Sequence, residues 1–432
     1  MDTKIQNMNG IHVLLENINR LYERKNVIMK LCYIVYREEE VMVFQSQVLE
    51  YLQELKGRKI FEEIELVVFR HEKNICNKKK VEDRVLKFVD KCVTFATFPV
   101  LSMIQLDFSV KRLRQHVKNH YNTEDQIAVI CRGDLAGYVG SKAFLGIQNS
   151  RILFDNRGLA YEESEMSNEN NLIYKINRNI KRNAMIFAKD HCDMYNFVTN
   201  SMRDYMIDRY NYNDKLPYTV IPTLYRAENV DSEKMEKILR LENYHSDQFV
   251  VCYAGAVQVW QSTDQLIDII EAISVKIPNS RFIFLMNGKL PGFDKLSPCI
   301  QRKITIKSVP HNQIKYYLQM ADVGVVMRSD NIVNRVAAPT KIAEYLTSGV
   351  QLLYSGNIGI INDLKNISDD LEMIEIDSNG EWLKHISKMQ HEHKANKTIV
   401  DYFDMKIRQK ETVEMICNSF KYQKNLGGKK NG

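Results

Sequence analysis

Short apolar runs alternate with segments of helical period along nearly the whole chain. In the first half the runs that read as strands are Val27–Tyr36, Ile64–Phe69, Cys92–Phe98, Ile127–Cys131, Ile152–Phe154, Phe197–Thr199 and Thr219–Ile221. Helical stretches separate them at Val41–Leu55, Asp107–His120 and Asn171–Asp190. The second half repeats the scheme, with strands at Phe249–Tyr253, Phe282–Met286, Ile304–Val309, Val323–Met327, Leu352–Tyr354 and Met373–Ile376. Its helices are expected at Asp264–Ile277, Asn312–Met320, Pro339–Leu346 and Asn379–Met389. Strands spaced by helices imply parallel sheets covered on both faces, an α/β class.

Two such blocks predict two doubly wound domains, residues 1–225 and 226–393, joined in the polar run Arg226–Gln248. Residues 394–432 read as strand-free amphipathic helices, which we expect to cross back and brace the first domain, ending in a disordered tail over Leu426–Gly432. A length of 432 residues exceeds one core and fits this division.

Bulk composition narrows the class. With 44% hydrophobic and 26% charged residues the chain is a folded protein, and no apolar run is long enough to span a bilayer. The acidic, polar N-terminus does not read as a signal peptide, so a cytoplasmic protein is expected. Eight scattered cysteines form no CxxC pair and lie near no histidine cluster, which reads as reduced core residues, with neither zinc nor disulfides indicated. The net charge of +6 is concentrated at Lys78-Lys79-Lys80, over Lys175–Lys189 and at Lys429-Lys430. Such patches suit an anionic membrane surface or an anionic acceptor, or are solvated helix faces. Without aromatic-basic repeats, nucleic acid is not an expected partner.

In open parallel sheets ligands gather beyond the carboxyl ends of the strands. There the segment Ala338-Pro339-Thr340-Lys341 stands out. It follows the strand Val323–Met327 and reads as a helix start, with Pro339 at the first helical position. The N–H groups of Thr340 and Lys341 lack intrahelical acceptors there, at the positive end of the dipole. Lys341 adds a full charge where a structural helix prefers an acid, and Glu344 shares its face. A phosphate on the helix start and a sugar hydroxyl on the carboxylate would together read a sugar nucleotide; an ordinary Lys341–Glu344 ion pair is the alternative. In the first domain the same rule selects Arg37, Arg132-Gly133-Asp134 and Asp155-Asn156-Arg157-Gly158. Arg132 would bind an anionic acceptor or pair with Asp134, and Asp155 and Arg157 would face the cleft or cap the next helix. Glu162 and Glu163 read as first-turn acids, His311 as solvent-facing and Trp260 as packing.

Further motifs order these fragments: Tyr253-Ala254-Gly255, Val309-Pro310-His311-Asn312, Met320-Ala321-Asp322, and Pro339-x-Lys341-x-x-Glu344-Tyr345-Leu346-x-x-Gly349. The first half adds Ile130-Cys131-Arg132-Gly133, Phe154-Asp155-x-Arg157-Gly158, Val198-Thr199-x-Ser201 and Val220-Ile221-Pro222. Over residues 26 to 390 this set resembles the GT-B-fold retaining glycosyltransferases of the family-four type, in particular those of bacterial cell-surface polysaccharide synthesis. The resemblance implies two Rossmann-like domains facing across a cleft. It implies transfer from a nucleotide-diphosphate sugar to a glycan or lipid-linked acceptor, with retention and without a metal or other cofactor.

Carried over, the family implies Gly255 for close approach of the donor diphosphate, with Val309 and Pro310 at the base. Pro339, Thr340 and Lys341 would hold the diphosphate or sugar, and Glu344 the ribose through a partly exposed contact. Arg132, Asp155 and Arg157 would lie on the acceptor side. This chain departs from the pattern at three points: Val336 replaces the first of two glutamates, and Ala256 and Gln261 replace basic residues. The charge work then falls to Arg328 and Lys341, with Arg335 as a third candidate, since a departing diphosphate needs cations. A sugar-nucleotide 2-epimerase and a non-catalytic nucleotide-sugar-binding partner subunit are the alternatives.

Overall fold

The computed structural model describes residues 29–38, 44–71, 78–97, 99–166, 171–225, 230–255, 263–368, 371–386 and 395–427. The strands expected to begin at Val27 and end at Phe98, the positions Ala256, Trp260 and Gln261, and the pair Lys429-Lys430 lie wholly or partly outside them.

Seven parallel strands form the first sheet: β1 (Met29–Tyr36), β2 (Glu63–His71), β3 (Lys91–Thr97), β4 (Gln126–Arg132), β5 (Ser150–Asp155), β6 (Met194–Phe197) and β7 (Tyr218–Val220). Their spatial order is β3-β2-β1-β4-β5-β6-β7. The second sheet holds β8 (Phe249–Ala254), β9 (Ser280–Leu285), β10 (Ile304–Lys307), β11 (Val323–Met327), β12 (Gln351–Ser355) and β13 (Met373–Glu375), ordered β10-β9-β8-β11-β12-β13. In each sheet the order reverses beside its first strand, between β1 and β4 and between β8 and β11. Those two reversals are where such sheets open a crevice.

Burial explains the apolar runs. Along β1, Leu31, Tyr33 and Val35 face one core while Cys32, Ile34 and Tyr36 face the other, as period-two alternation requires in a sheet covered twice. The one lysine in that strand, Lys30, is neutralised by Asp125 at 2.9 Å. The final helix, Met405–Gly427, does cross back: Val413, Ile416, Cys417 and Phe420 complete the core on the first face of β1. A buried phenylalanine of this kind contributes about 1.5–3 kcal/mol. Arg408 donates to the Val220 carbonyl at 2.6 Å and Gln409 to that of Tyr51 at 2.8 Å, which fixes the helix against the first domain.

Several local expectations are corrected. Thr199 is not a strand residue; it caps the helix Asn200–Tyr210, its hydroxyl accepting from the Met202 N–H at 3.0 Å. The strand at Ile304 stops at Lys307, so Val309 lies in the following loop. The helix expected over Asn379–Met389 is a single turn, Glu381–Lys384, among the described residues. The helix Gly133–Phe144 escaped notice because its packing face is made of small residues. A Cβ at Gly140 would come within 2.2 Å of Cys131 Sγ, so only glycine lets helix and sheet approach so closely. The polar run expected to be a connection contains the helix Ser232–Leu241. Among the cysteines, Cys32, Cys131, Cys252 and Cys417 are core residues, whereas Cys299 is exposed.

Candidate active site

At the reversal between β8 and β11 the two strand ends carry Gly255 and Arg328. Gly255 has φ +112, a conformation few residues besides glycine tolerate, and a Cβ there would lie 2.7 Å from Lys341 Cε. The glycine therefore makes room for the lysine. Lys341 Nζ stands 4.0 Å over the Tyr253 ring, and no carboxylate lies within ion-pair distance of it among the described residues. Burial, reinforced by the charge of Arg328, pushes its ammonium down to about 7. Arg328 is also held below its ordinary value by burial. Its Nε is buried with no hydrogen-bond partner, and its Nη1 reaches only Asn334 Oδ1 at 3.4 Å. Two half-buried cations with so little compensation suit a ligand anion that would complete them.

The helix carrying Lys341 runs from Thr340 to Thr347, with Pro339 as its N-cap, one position earlier than expected. No side chain caps it. The helix is anchored from within: the Tyr345 hydroxyl oxygen accepts the N–H of Ala254 on β8 at 2.9 Å, and its ring lies 2.4 Å from where a Cβ on Gly324 would sit. One turn on, Glu344 is buried, not partly exposed, and sits 3.3 Å from His311 Nε2. The anticipated Lys341–Glu344 ion pair is not formed; each looks to another partner. His311, expected to face solvent alone, is half-exposed and turns one ring nitrogen to Glu344. Thr340, Glu344, His311 and Asn312 line one pocket with Gln47, Leu224 and Met405 of the facing side. Pro310 caps the helix His311–Leu318 and is exposed; Val309 packs partly on the core of the second sheet, and neither lines that pocket.

On the first sheet, Arg132, Asp155 and Arg157 do converge, at the ends of β4 and β5. Arg132 Nε lies 2.7 Å from Glu38, and its Nη1 3.5 Å from Asp155. Arg157 Nη1 lies 3.6 Å from the same Asp155 and donates to the Ile221 carbonyl at 3.4 Å. Asn196 donates to Asp155 at 2.6 Å. Arg132 therefore pairs with Glu38 and Asp155, not with Asp134, and the Asp155–Arg157 pair caps no helix. Burial opposes ionisation of Arg132, but Glu38 and its neighbours outweigh it and raise its pKa; burial lowers that of Arg157. These groups line a small cavity with Tyr33, Tyr51 and Thr412.

The two cavities share Gln47 and Leu224. Gln47 donates to the Leu224 carbonyl at 2.7 Å and accepts the Leu224 N–H at 3.2 Å, forming the wall between them. Val336, at the position expected for the first of two glutamates, is buried in the seam between the sheets, among Phe197, Val198 and Met202. Its carbonyl accepts from Thr199 Oγ1 at 2.7 Å. Arg335 is no donor-site cation, because Asp330 holds it in a two-pronged pair at 2.7 Å on the surface. Sequence reasoning missed Gly356, with φ +83, where a Cβ would stand 2.3 Å from the Arg328 carbonyl oxygen, so a glycine is needed for the two strand ends to lie this close. A glycine just beyond a strand end was the signal available.

Solved structures share this fold. A glycosyltransferase from Rickettsia africae superposes with a TM-score of 0.63 at 12% identity, over 91% of this chain and 99% of that one. The Anabaena HepE protein in complex with UDP and glucose gives 0.60 at 13% identity, over 90% of this chain and 100% of that one. Sucrose-phosphate synthase from Thermosynechococcus elongatus gives 0.55 at 12% identity, over 93% and 100%. The chain has the GT-B fold. No family model matches the sequence, and no curated protein matches it. In this GT-B chain the two strand reversals face one another, with Gly255, Arg328 and Lys341 on one side and the Arg132–Asp155–Arg157 cluster on the other.

Proposed function

We propose that the chain is a glycosyltransferase that moves a sugar from a nucleotide-diphosphate sugar to a glycan or lipid-linked acceptor. The observation that carries this reading is the pair of half-buried, sparsely compensated cations Lys341 and Arg328 against Gly255, one turn from the buried carboxylate of Glu344. An anion with the reach of a diphosphate suits the first group, and a ribose hydroxyl suits the second. The UDP-bound state of the HepE neighbour makes UDP the first probe.

As the glycosidic bond breaks, negative charge grows on the departing diphosphate. Lys341, Arg328 and the N–H groups opening the helix at Thr340 would stabilise it. With those cations in place the reading needs no metal. Retention, a role in surface polysaccharide synthesis and work at the inner face of the membrane complete the proposal, following the resemblance at Pro339-x-Lys341. Thermal shift against UDP, GDP, ADP and CMP compounds tests it, because a ligand of the native state alone raises the melting point. A transferase then turns over only with a second substrate; conversion of the free donor would mark an epimerase instead. Val336 in the domain seam favours a second reading, a subunit that binds nucleotide sugar without turnover, and binding with no product across an acceptor panel would support that one.

A further inference from the structure

Of the large apolar side chains left exposed among the described residues, Leu101, Ile173 and Tyr174 line one groove of the first domain, and Ile104, Phe108 and Leu172 lie on the two helices that open beside it. Ile104 and Phe108 are one turn apart on the helix Met103–His120, opposite its buried stripe of Leu106, Val110, Leu113 and Val117. They are 69% and 58% exposed, far beyond what core packing would leave. Leu172, Ile173 and Tyr174 open the helix Leu172–His191, and Leu101, Ile173 and Tyr174 line one groove with Pro99, Val100 and Ile180. An exposed apolar cluster of this kind marks a contact surface.

Charge selects the partner. Lys111 lies 5.8 Å from the Phe108 ring, Arg112 is exposed one position on, and Lys175 and Arg182 are exposed on the second helix. The acids nearby are largely spent internally: Asp107 pairs with Lys142 at 2.7 Å and Glu165 with Arg178 at 3.4 Å. Glu163 lies in the groove beside Lys181. The surface is thus apolar residues ringed by surplus cations, the composition that seats in the headgroup region of an anionic bilayer. Glu163, on the wall of that groove, is near enough to Arg328 to feel its charge. A lipid-borne acceptor held there would present its head to the candidate site.

We infer that this surface docks the protein on anionic lipid bilayers. The inference rests on the lipid-linked form of the acceptor reading only for its purpose; the docking is measured without any transfer. The experiment is co-sedimentation of the full chain with phosphatidylcholine vesicles and with vesicles of equal parts phosphatidylcholine and phosphatidylglycerol. Binding to the anionic vesicles alone is expected. Replacing Ile104→Ser with Phe108→Ser, and separately Lys175→Gln with Arg182→Gln, should each weaken it at least about tenfold. All four side chains are exposed, so the variants should melt as the parent does, and their response to nucleotide should not change. No binding to anionic vesicles, equal binding to both kinds, or unchanged binding in either variant pair would overturn the inference. Any of these could occur with nucleotide binding intact, so the donor-site reading stands or falls separately.

Discussion

Two pairs of cations face each other across this cleft, and their surroundings are opposite. Arg132 is buried and Arg157 half-buried, and the carboxylates of Glu38 and Asp155, the latter held by Asn196, meet their charge. Lys341 and Arg328 are half-buried beside an aromatic ring, a glycine and an asparagine amide, with no carboxylate at ion-pair distance among the described residues. Paired charge holds a fold in register, whereas uncompensated charge is kept for something that arrives. The difference shows that burial of a cation does not identify a binding residue. The absence of its counter-ion is the stronger mark.

The contrast can be broken most forcefully on the paired side. Arg132→Met leaves Glu38 and Asp155 without their shared cation, and should cost about 3–5 kcal/mol of stability. It would appear as a large fall in melting temperature, with nucleotide affinity of the folded protein unchanged. If affinity collapsed while stability held, the two sides would have been assigned the wrong way round. Next in size is Glu344→Gln, which removes a charged acceptor from the ribose site. A loss of about tenfold to a hundredfold in nucleotide affinity is expected by calorimetry, with deoxyribose analogues much less affected. An equal loss for ribose and deoxyribose ligands would place Glu344 elsewhere.

The sign of the pH dependence follows from Lys341. Its folded-state pKa is depressed to about 7, so the free protein loses that charge as pH rises through neutrality. A bound diphosphate favours the ammonium, so above neutrality binding must take up a proton. Affinity should fall by up to about tenfold per pH unit above 7 and level off below it. Lys341→Arg, which stays charged, should flatten the profile; a slope unchanged in that variant would assign the proton to another group.

Much of the framework was legible from the chain. Parallel strands buried on both faces leave apolar runs such as Phe249–Tyr253 and Val323–Met327, and the strand-end rule pointed to the helix start that carries Lys341, while Gly255 came from the resemblance and its contact with that lysine from the structure. What was not legible depended on three-dimensional neighbours. Glu38, the true partner of Arg132, is remote from it in sequence, and the choice between it and Asp134 is made by the loop that follows β1. The place of Val336, buried beside Thr199 in the seam between the sheets, depends on neighbours far away in sequence. The helix Gly133–Phe144 was hidden because glycines and alanines, needed for close approach, carry no apolar period. His311 next to Glu344 follows only from the folding of two separate helix starts into one pocket wall.

The most direct test is calorimetric titration of UDP, GDP and ADP into the parent chain and into Lys341→Met at slightly acid pH, where the lysine is charged. The account predicts that at least one diphosphate binds the parent, and that the variant binds it about a hundredfold more weakly with its melting temperature maintained. Equal affinity in parent and variant, or no binding of any diphosphate to the parent, would contradict it.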